Sequence, residues 1–184
     1  MQRTAARPGF NGRRILIFIQ MLAVLAGFTP SVFADGDAAA KTKAVFLFNF
    51  TKFIEWPIPA NDTLHICIIG SEQIVDLLSE LASRDSKGHM LQIWSGGEQL
   101  QICHILYIDR KEPNLSKFLL DVRGNPVLTV SDSENFARNG GGIGFYAENG
   151  QIKLEINMAE VRNAQLKINA LLMEVARIVI PGKP

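Results

Sequence analysis

Aromatic side chains are most concentrated in residues 43–57, KAVFLFNFTKFIEWP, where apolar residues occupy nearly every side of a helical projection. A helix that is apolar all round is usually buried in a protein core. Trp56-Pro57 ends the segment, because the residue before a proline is disfavoured in the helical region. We therefore predict a core helix over about residues 41–55. Its end, Glu55-Trp56, is also a candidate contact for a partner molecule.

Beyond this helix, short runs of branched apolar residues alternate with amphipathic segments. The run LHICII at 64–69 predicts a strand that is buried on both faces. Ser71 is placed to cap the helix that follows. Strand–helix–strand alternation favours an α/β sheet with parallel neighbours. By the same reasoning, further strands are predicted at 91–94, 102–108 and 127–130, with a helix at 114–122.

The C-terminal third carries three further patterns. Residues 131–134, SDSE, have the arrangement of a capping box and predict a brief helix. Asn149-Gly150, between apolar runs, is the strongest short-range signal for a hairpin. From Asn157 onward, apolar residues at helical spacing predict a last helix that ends before Pro181. The whole pattern predicts a single α/β domain, with a mixed and mostly parallel sheet flanked by helices and a C-terminal hairpin and helix.

The N-terminus has the order of a secretory signal peptide. Four arginines precede an apolar run at 15–28, and Val32-Phe33-Ala34 offers small residues at a cleavage site. Fourteen residues of helix at about 1.5 Å each fall short of the ~30 Å hydrocarbon core of a membrane. We therefore expect residues 1–34 to be a cleaved signal and residues 35–184 to be the mature domain. An uncleaved anchor running to Ala34 is the alternative.

Removal of the signal changes the charge balance of the chain. Four of the 19 lysines and arginines leave with it, so 15 basic residues face 18 acidic ones, a net charge of −3. No basic block remains, which argues on electrostatic grounds against strong binding to nucleic acid.

Two cysteines, Cys67 and Cys103, lie in the exported part of the chain. An oxidising compartment favours a disulfide between them. Two free buried thiols, or a metal site that includes His65 and His104, are the alternatives. Because side chains alternate along a strand, Cys103 and His104 point to opposite faces, so at most three of the four ligands could converge.

No catalytic set emerges from the motifs. The glycines at 142–147 match the dinucleotide pattern G-x-G-x-x-A, but that pattern needs a strand before it and a helix after it, the reverse of what is predicted here. Ser131-Asp132 follows a strand, where α/β sheets often bind ligands, but no histidine is spaced for a triad and no G-x-S-x-G elbow is present. We therefore expect no enzyme activity, no cofactor and no metal.

The chain resembles the YfiR-like family along essentially its whole mature length. Seven segments occur in the order seen in that family: NFTKFIEWP at 49–57, LHICIIG at 64–70, CHILYI at 103–108, PVLTVSD at 126–132, FARNGGGIGF at 136–145, IKLEIN at 152–157 and LKINALLMEVARIV at 166–179.

The resemblance implies a small periplasmic protein that restrains an inner-membrane diguanylate cyclase by binding its periplasmic part. It also implies that an OmpA-like outer-membrane lipoprotein can sequester the protein, which raises cyclic di-GMP and favours biofilm. Cys67 and Cys103 match a disulfide pair of the family. A second pair found in some members is missing, and Phe145, Tyr146 and Gly150 are among the residues present in that region.

Two functions from different classes follow. The first is a regulatory binding protein that acts on a membrane cyclase or sensor kinase, with Glu55, Trp56, Ser131 and Asp132 as candidate contacts and homodimerisation as a further expectation. The second is a sensor for a small ligand, with a cleft at the carboxyl ends of the strands at 64–69 and 127–130. An enzyme is the weakest reading.

Overall fold

The computed structural model describes residues 33–57, 63–84 and 90–180. Apart from Phe33 and Ala34, the expected signal peptide lies outside the described residues. From Asp35 onward the chain clusters as one unit. Its strands are, in chain order, β1 (Ile54–Glu55), β2 (Leu64–Ile69), β3 (Leu91–Ser95), β4 (Ile105–Ile108), β5 (Leu128–Ser131), β6 (Ile143–Glu148), β7 (Gln151–Asn157), β8 (Lys167–Ile168) and β9 (Ala176–Ile180).

Seven of these strands form one sheet in the order β3-β2-β4-β5-β6-β7-β9. Neighbouring strands run parallel except β6 and β7, which form the antiparallel hairpin. The predicted α/β class with a mixed, mostly parallel sheet is therefore confirmed. The remaining strands, β1 and β8, pair with each other.

Five α-helices connect and cover the strands within the described residues: α1 (Phe33–Phe53), α2 (Glu72–Arg84), α3 (Leu115–Asp121), α4 (Met158–Asn163) and α5 (Ala170–Val175). The N-terminus of α2 is capped as predicted, since the Ile74 N–H lies 3.4 Å from the Ser71 hydroxyl. Ile74 and Leu78 bury the apolar face of that helix.

The central strands separate two hydrophobic clusters because their side chains alternate between the faces. On one face, α1 packs Leu47 and Phe50 against Ile66 of β2 and Phe145 of β6, with the Phe50 and Phe145 rings stacked 6.2 Å apart. The other face holds the Cys67–Cys103 disulfide together with residues next to α3. The aromatic helix is therefore a core element, as its composition predicts.

The bounds of α1 differ from those predicted. The helix ends at Phe53, because Ile54 leaves it to pair with Ile168 of β8. The predicted strand at 102–108 likewise begins only at Ile105, after a short 3-10 turn at Leu100–Ile102. In both places a tertiary pairing or a local turn overrides the apolar run.

The single C-terminal helix predicted after Asn157 is wrong. Asn157 does cap a helix, but α4 ends after six residues, and Gln165 takes a left-handed conformation with φ 59°. The Leu166 N–H then donates to the Val161 carbonyl at 3.0 Å, a helix-terminating bond. The Asn169 side chain caps α5, and the residues after α5 join the sheet beside β7. The apolar residues at helical spacing are thus divided among two helices and two strands.

The brief helix predicted after the SDSE motif is also wrong. Ser131 is the last residue of β5, and its hydroxyl accepts the Ser133 N–H at 3.0 Å. Turns without helix follow, and Asn135 has φ 54°. The predicted hairpin is confirmed: Asn149 and Gly150 have φ values of 50° and 72°, which is the pattern of a type I′ turn.

Candidate functional site

A cluster of hydrogen-bonded polar and charged side chains lies at the carboxyl ends of β4 and β5. Asp132 follows β5 directly, Tyr107 lies in β4, and Arg110 comes two residues after that strand. Lys43 reaches the same point from α1. We call these four residues, Lys43, Tyr107, Arg110 and Asp132, the Asp132 cluster.

Asp132 accepts four hydrogen bonds within this cluster. The Lys43 ammonium donates to Oδ2 at 2.6 Å, and Arg110 Nε donates to the same oxygen at 2.8 Å. The other oxygen, Oδ1, accepts the Arg110 backbone N–H at 3.0 Å and the Tyr107 hydroxyl at 3.1 Å. Only 2% of the Asp132 side chain and 10% of the Lys43 side chain are exposed, whereas 59% of the Arg110 side chain is exposed. The cluster is therefore an ion pair in the interior with one cation at the surface.

The electrostatics of the cluster favour the charged carboxylate. Burial by itself would raise the pKa of Asp132, but hydrogen bonds from Lys43 and Arg110 and their positive charges outweigh it and hold the pKa below its ordinary value of 3.8. Burial, followed by the negative charges of Asp132 and Asp109, raises the pKa of Tyr107 well above its ordinary value. Near neutral pH, Tyr107 is therefore a neutral donor to a charged carboxylate.

Arg110 stands between two grooves. The first has a volume of about 540 Å³ and is lined by Lys43 and Arg110 among small and apolar residues that include Ala38, Ala147 and Ile152. The second has a volume of about 660 Å³ and also carries acidic residues. Both volumes fall in the range of roughly 300–1,000 Å³ that is usual for ligand sites.

The second groove contains its own ion pair. Arg138 Nη2 lies 2.7 Å from Glu155 Oε1, and Glu134 and Asp132 also line the groove. Three carboxylates therefore face two guanidinium groups there, so the second groove is less favourable to an anion than the first.

A row of aromatic rings lies next to the amino-terminal ends of β2 and β4 and reaches Trp94, the fourth residue of β3. Trp56 lies against His104, His104 against His65, and His65 against Trp94, with ring centroids 6.4, 5.6 and 6.3 Å apart. The Trp56 indole N–H donates to the His104 carbonyl at 3.1 Å, and the His65 backbone N–H donates to His104 Nδ1 at 3.1 Å. This row fixes the end of the α1 segment on the sheet.

The structure places the predicted contact residues at two separate ends of the sheet. Glu55 is exposed in β1 and Trp56 is half-buried beside His104, the residue before β4. Ser131 and Asp132 are buried at the carboxyl end of β5. The structure therefore does not bring the two pairs together. Ser131 is fully buried, and Asp132, which lines the second groove with almost no exposed side-chain surface, would influence a bound molecule mainly through neighbours such as Arg110.

Sequence reasoning missed Lys43, Tyr107 and Arg110. A tyrosine inside an apolar strand was one available signal, because a buried hydroxyl usually has a hydrogen-bond partner. An arginine and an aspartate just beyond neighbouring parallel strands was another, since those ends meet at one edge of the sheet. The ligand cleft was expected at the carboxyl ends of the strands at 64–69 and 127–130, which are separated in the sheet by β4.

The two cysteines of the considered metal site are joined in a disulfide with their Cα atoms 5.8 Å apart. Within the part of the chain that the structure describes, no three His, Cys, Asp or Glu side chains are grouped to hold a metal ion. In the same part of the chain, no helix combines the length and apolar character that crossing a membrane requires.

A family model described as YfiR/HmsC-like matches residues 40–177. A comparison with curated proteins finds no significant match. A crystal structure of a 3-hydroxyacyl-CoA dehydrogenase from Archaeoglobus fulgidus aligns with a TM-score of 0.33 at 13% identity, covering 66% of this chain and 57% of the dehydrogenase chain. That likeness is too weak to carry an argument.

Proposed function

This chain belongs to the YfiR/HmsC-like family, and on that premise we propose that it is a periplasmic regulatory protein that restrains an inner-membrane diguanylate cyclase by direct contact. The observation that carries the proposal is the extent of the family match, which runs from within α1 to β9. The bound protein would favour the inactive state of the cyclase through differential affinity for its two states.

We place the contact at the exposed end of the α1 segment. Glu55 is exposed there, and the half-buried Trp56 is held by its bond to His104. Tryptophan is among the residues that most often anchor protein interfaces. At the other end of the sheet, Ser131 and Asp132 would act indirectly, by fixing Arg110 at the surface.

The membrane partner of this proposal is a diguanylate cyclase, with a sensor kinase as the alternative. An OmpA-like outer-membrane lipoprotein would compete for the chain and release the cyclase, which would raise cyclic di-GMP and favour biofilm. Formation of a homodimer is a further part of the proposal, because β3 is an edge strand of the sheet.

Cross-linking in the native host tests the contact. A tagged chain should be cross-linked to a diguanylate cyclase, and Glu55→Lys should reduce the yield because it reverses the charge at the proposed interface. Glu98→Lys is the matched control, since Glu98 is also exposed but lies in the loop after β3. Failure to recover a cyclase or a sensor kinase would sink the proposal, and equal yields from both variants would remove Glu55 from the interface.

A specific observation also favours a second candidate function, the sensing of a small ligand. The groove of about 540 Å³ lies beside the carboxyl ends of parallel strands and carries two cations among apolar residues. A thermal-shift screen of the purified chain against small organic molecules would detect such a ligand, and a screen without any stabilising compound would count against it.

A further inference from the structure

The Asp132 cluster does not balance its own charges. One carboxylate, Asp132, is shared by the Lys43 ammonium and the Arg110 guanidinium. Because the Lys43 side chain is nearly buried, its charge is already neutralised by Asp132 within the interior. Within these four residues, the positive charge left over is therefore presented by Arg110 at the surface, where the nearby Asp109 carboxylate also acts on it.

The hydrogen bonds of Arg110 leave one edge of its guanidinium available. Asp132 takes the Nε–H, and the Arg110 backbone N–H is fixed on the same carboxylate. Among the residues that the structure describes, neither terminal nitrogen of Arg110 has a hydrogen-bond acceptor. Two terminal nitrogens of a planar guanidinium are the fork that binds a carboxylate in bidentate fashion. Asp132 thus orients Arg110 without occupying that fork.

The lining of the first groove indicates which chemical group a bound anion would carry beside its negative charge. Among its described lining residues, Lys43 and Arg110 are charged and none is acidic, while Ala38, Ala147 and Ile152 offer apolar surface. The adjoining groove carries carboxylates of its own, which would repel an anion. Of these two grooves, only the first combines cations with apolar surface and has no carboxylate in its described lining.

We propose that this groove binds a small carboxylate with an aliphatic body, with the carboxylate on the terminal nitrogens of Arg110 and the aliphatic part against Ala38, Ala147 and Ile152. Asp132 is a positioning residue that neutralises Lys43 and keeps the Arg110 guanidinium in place. The inference rests on the second candidate function, ligand sensing, and does not depend on the contact that Glu55 and Trp56 are proposed to make with a cyclase.

NMR titration of the purified mature chain with hexanoate tests the site. Saturable shifts should appear at amides around Thr42, Ala147 and Gly150, at about millimolar ligand or below, and they should weaken as salt screens the charges. Hexanamide, which has the same aliphatic body without the charge, should bind at least about tenfold more weakly, because hydrogen bonds to charged groups exceed neutral ones by that order.

Variants identify the anchor. Arg110→Gln should lower the hexanoate affinity by about tenfold or more. Arg110→Lys keeps the charge but loses the two-pronged guanidinium, so its hexanoate affinity should lie between those of the wild type and Arg110→Gln. Arg138→Gln is the matched control, since Arg138 is similarly exposed but paired with Glu155, and it should bind hexanoate as the wild type does. In both Arg110 variants, Asp132 still accepts hydrogen bonds from Lys43 and Tyr107, so the variants should fold. Circular dichroism would verify their folding.

Three outcomes would overturn the inference: no saturable binding of hexanoate, equal affinity for hexanoate and hexanamide, or unchanged affinity in Arg110→Gln. A chain that fails these tests but is still cross-linked to a cyclase refutes the ligand site and leaves the regulatory proposal standing. A chain that binds hexanoate through Arg110 but captures no membrane protein refutes the regulatory proposal and leaves the ligand site standing.

Discussion

Replacing Asp132 by asparagine removes the negative charge at the centre of the Asp132 cluster while keeping the shape of the side chain. The Lys43 ammonium, whose side chain is 10% exposed, then stays in the interior without a carboxylate. Arg110 also loses its partner, but its exposed guanidinium can be solvated by water. The cost therefore arises mainly from Lys43.

The expected loss in the free energy of unfolding can be taken from other buried ion pairs in which one partner has been removed. An uncompensated buried charge typically costs about 3–5 kcal/mol in the free energy of unfolding. In a domain of this size, each 1 kcal/mol corresponds to roughly 2–4 °C in melting temperature, so Asp132→Asn should melt about 10 °C lower. Asp121→Asn is the control, because its pair with Lys117 lies at the surface and should contribute at most about 1 kcal/mol.

A double mutant separates the lost charge from other effects of the substitution. Lys43→Met with Asp132→Asn removes the stranded ammonium, so the double mutant should be more stable than Asp132→Asn alone, since losing both partners of a buried pair costs far less than losing one. Urea denaturation with an unchanged m-value would give these free energies. If Asp132→Asn costs under about 1 kcal/mol, or if the double mutant is the less stable of the two, the reasoning is refuted.

The same variant has a defined pH dependence. Because the folded state lowers the pKa of Asp132, its charge contributes stability that is complete above the pKa of the unfolded chain and is lost as pH falls through the folded value. The wild type should therefore exceed Asp132→Asn by a constant margin from about pH 5 to pH 8, and the margin should shrink below about pH 4. If the stability difference between the wild type and Asp132→Asn grew as the pH fell, the conclusion that Asp132 is a stabilising carboxylate with a lowered pKa would be contradicted.

Three further predictions concern the rest of the fold. Cys67→Ser should lower the free energy of unfolding by about 4 kcal/mol under oxidising conditions, since it opens a link across 36 positions, and equal melting of the wild type with and without reductant would contradict the disulfide. Gly141→Ala should cost about 1–3 kcal/mol, because a Cβ there collides with the Phe136 ring. Gly36→Ala meets open space within α1 and should not destabilise in the same denaturation assay, since alanine favours a helix by up to about 1 kcal/mol over glycine. Trp56→Phe keeps an aromatic ring but loses the bond to the His104 carbonyl, and it should cost about 1 kcal/mol, with an unchanged melting temperature as the result against it.

Elements with local signals in the sequence were predicted well. The strand at 64–69, the helix capped by Ser71 and the hairpin at Asn149-Gly150 each depend on residues close together in the chain. The C-terminal helix failed for a physical reason: Gln165 ends α4 in a left-handed conformation without the glycine that usually marks one. The apolar residues beyond it fit helical spacing equally well, so periodicity alone could not divide them.

The candidate site was predicted only in part, because its members are distant in sequence. Asp132 was singled out by its position after a strand, but Lys43 lies 89 positions earlier and was read only as the start of a core helix. Tertiary packing brings α1 across the sheet to that strand end, and no local pattern encodes that crossing. The cluster thus depends on the arrangement of whole elements and not on any motif.

The most direct test of the central claim is the cyclic di-GMP content of the native host with and without this chain. Deleting the gene should raise cyclic di-GMP, and the full-length chain should restore the original level. A version that lacks residues 1–34 should fail to restore it, because it would not reach the periplasmic part of the cyclase. Equal cyclic di-GMP in all of these strains would contradict the account.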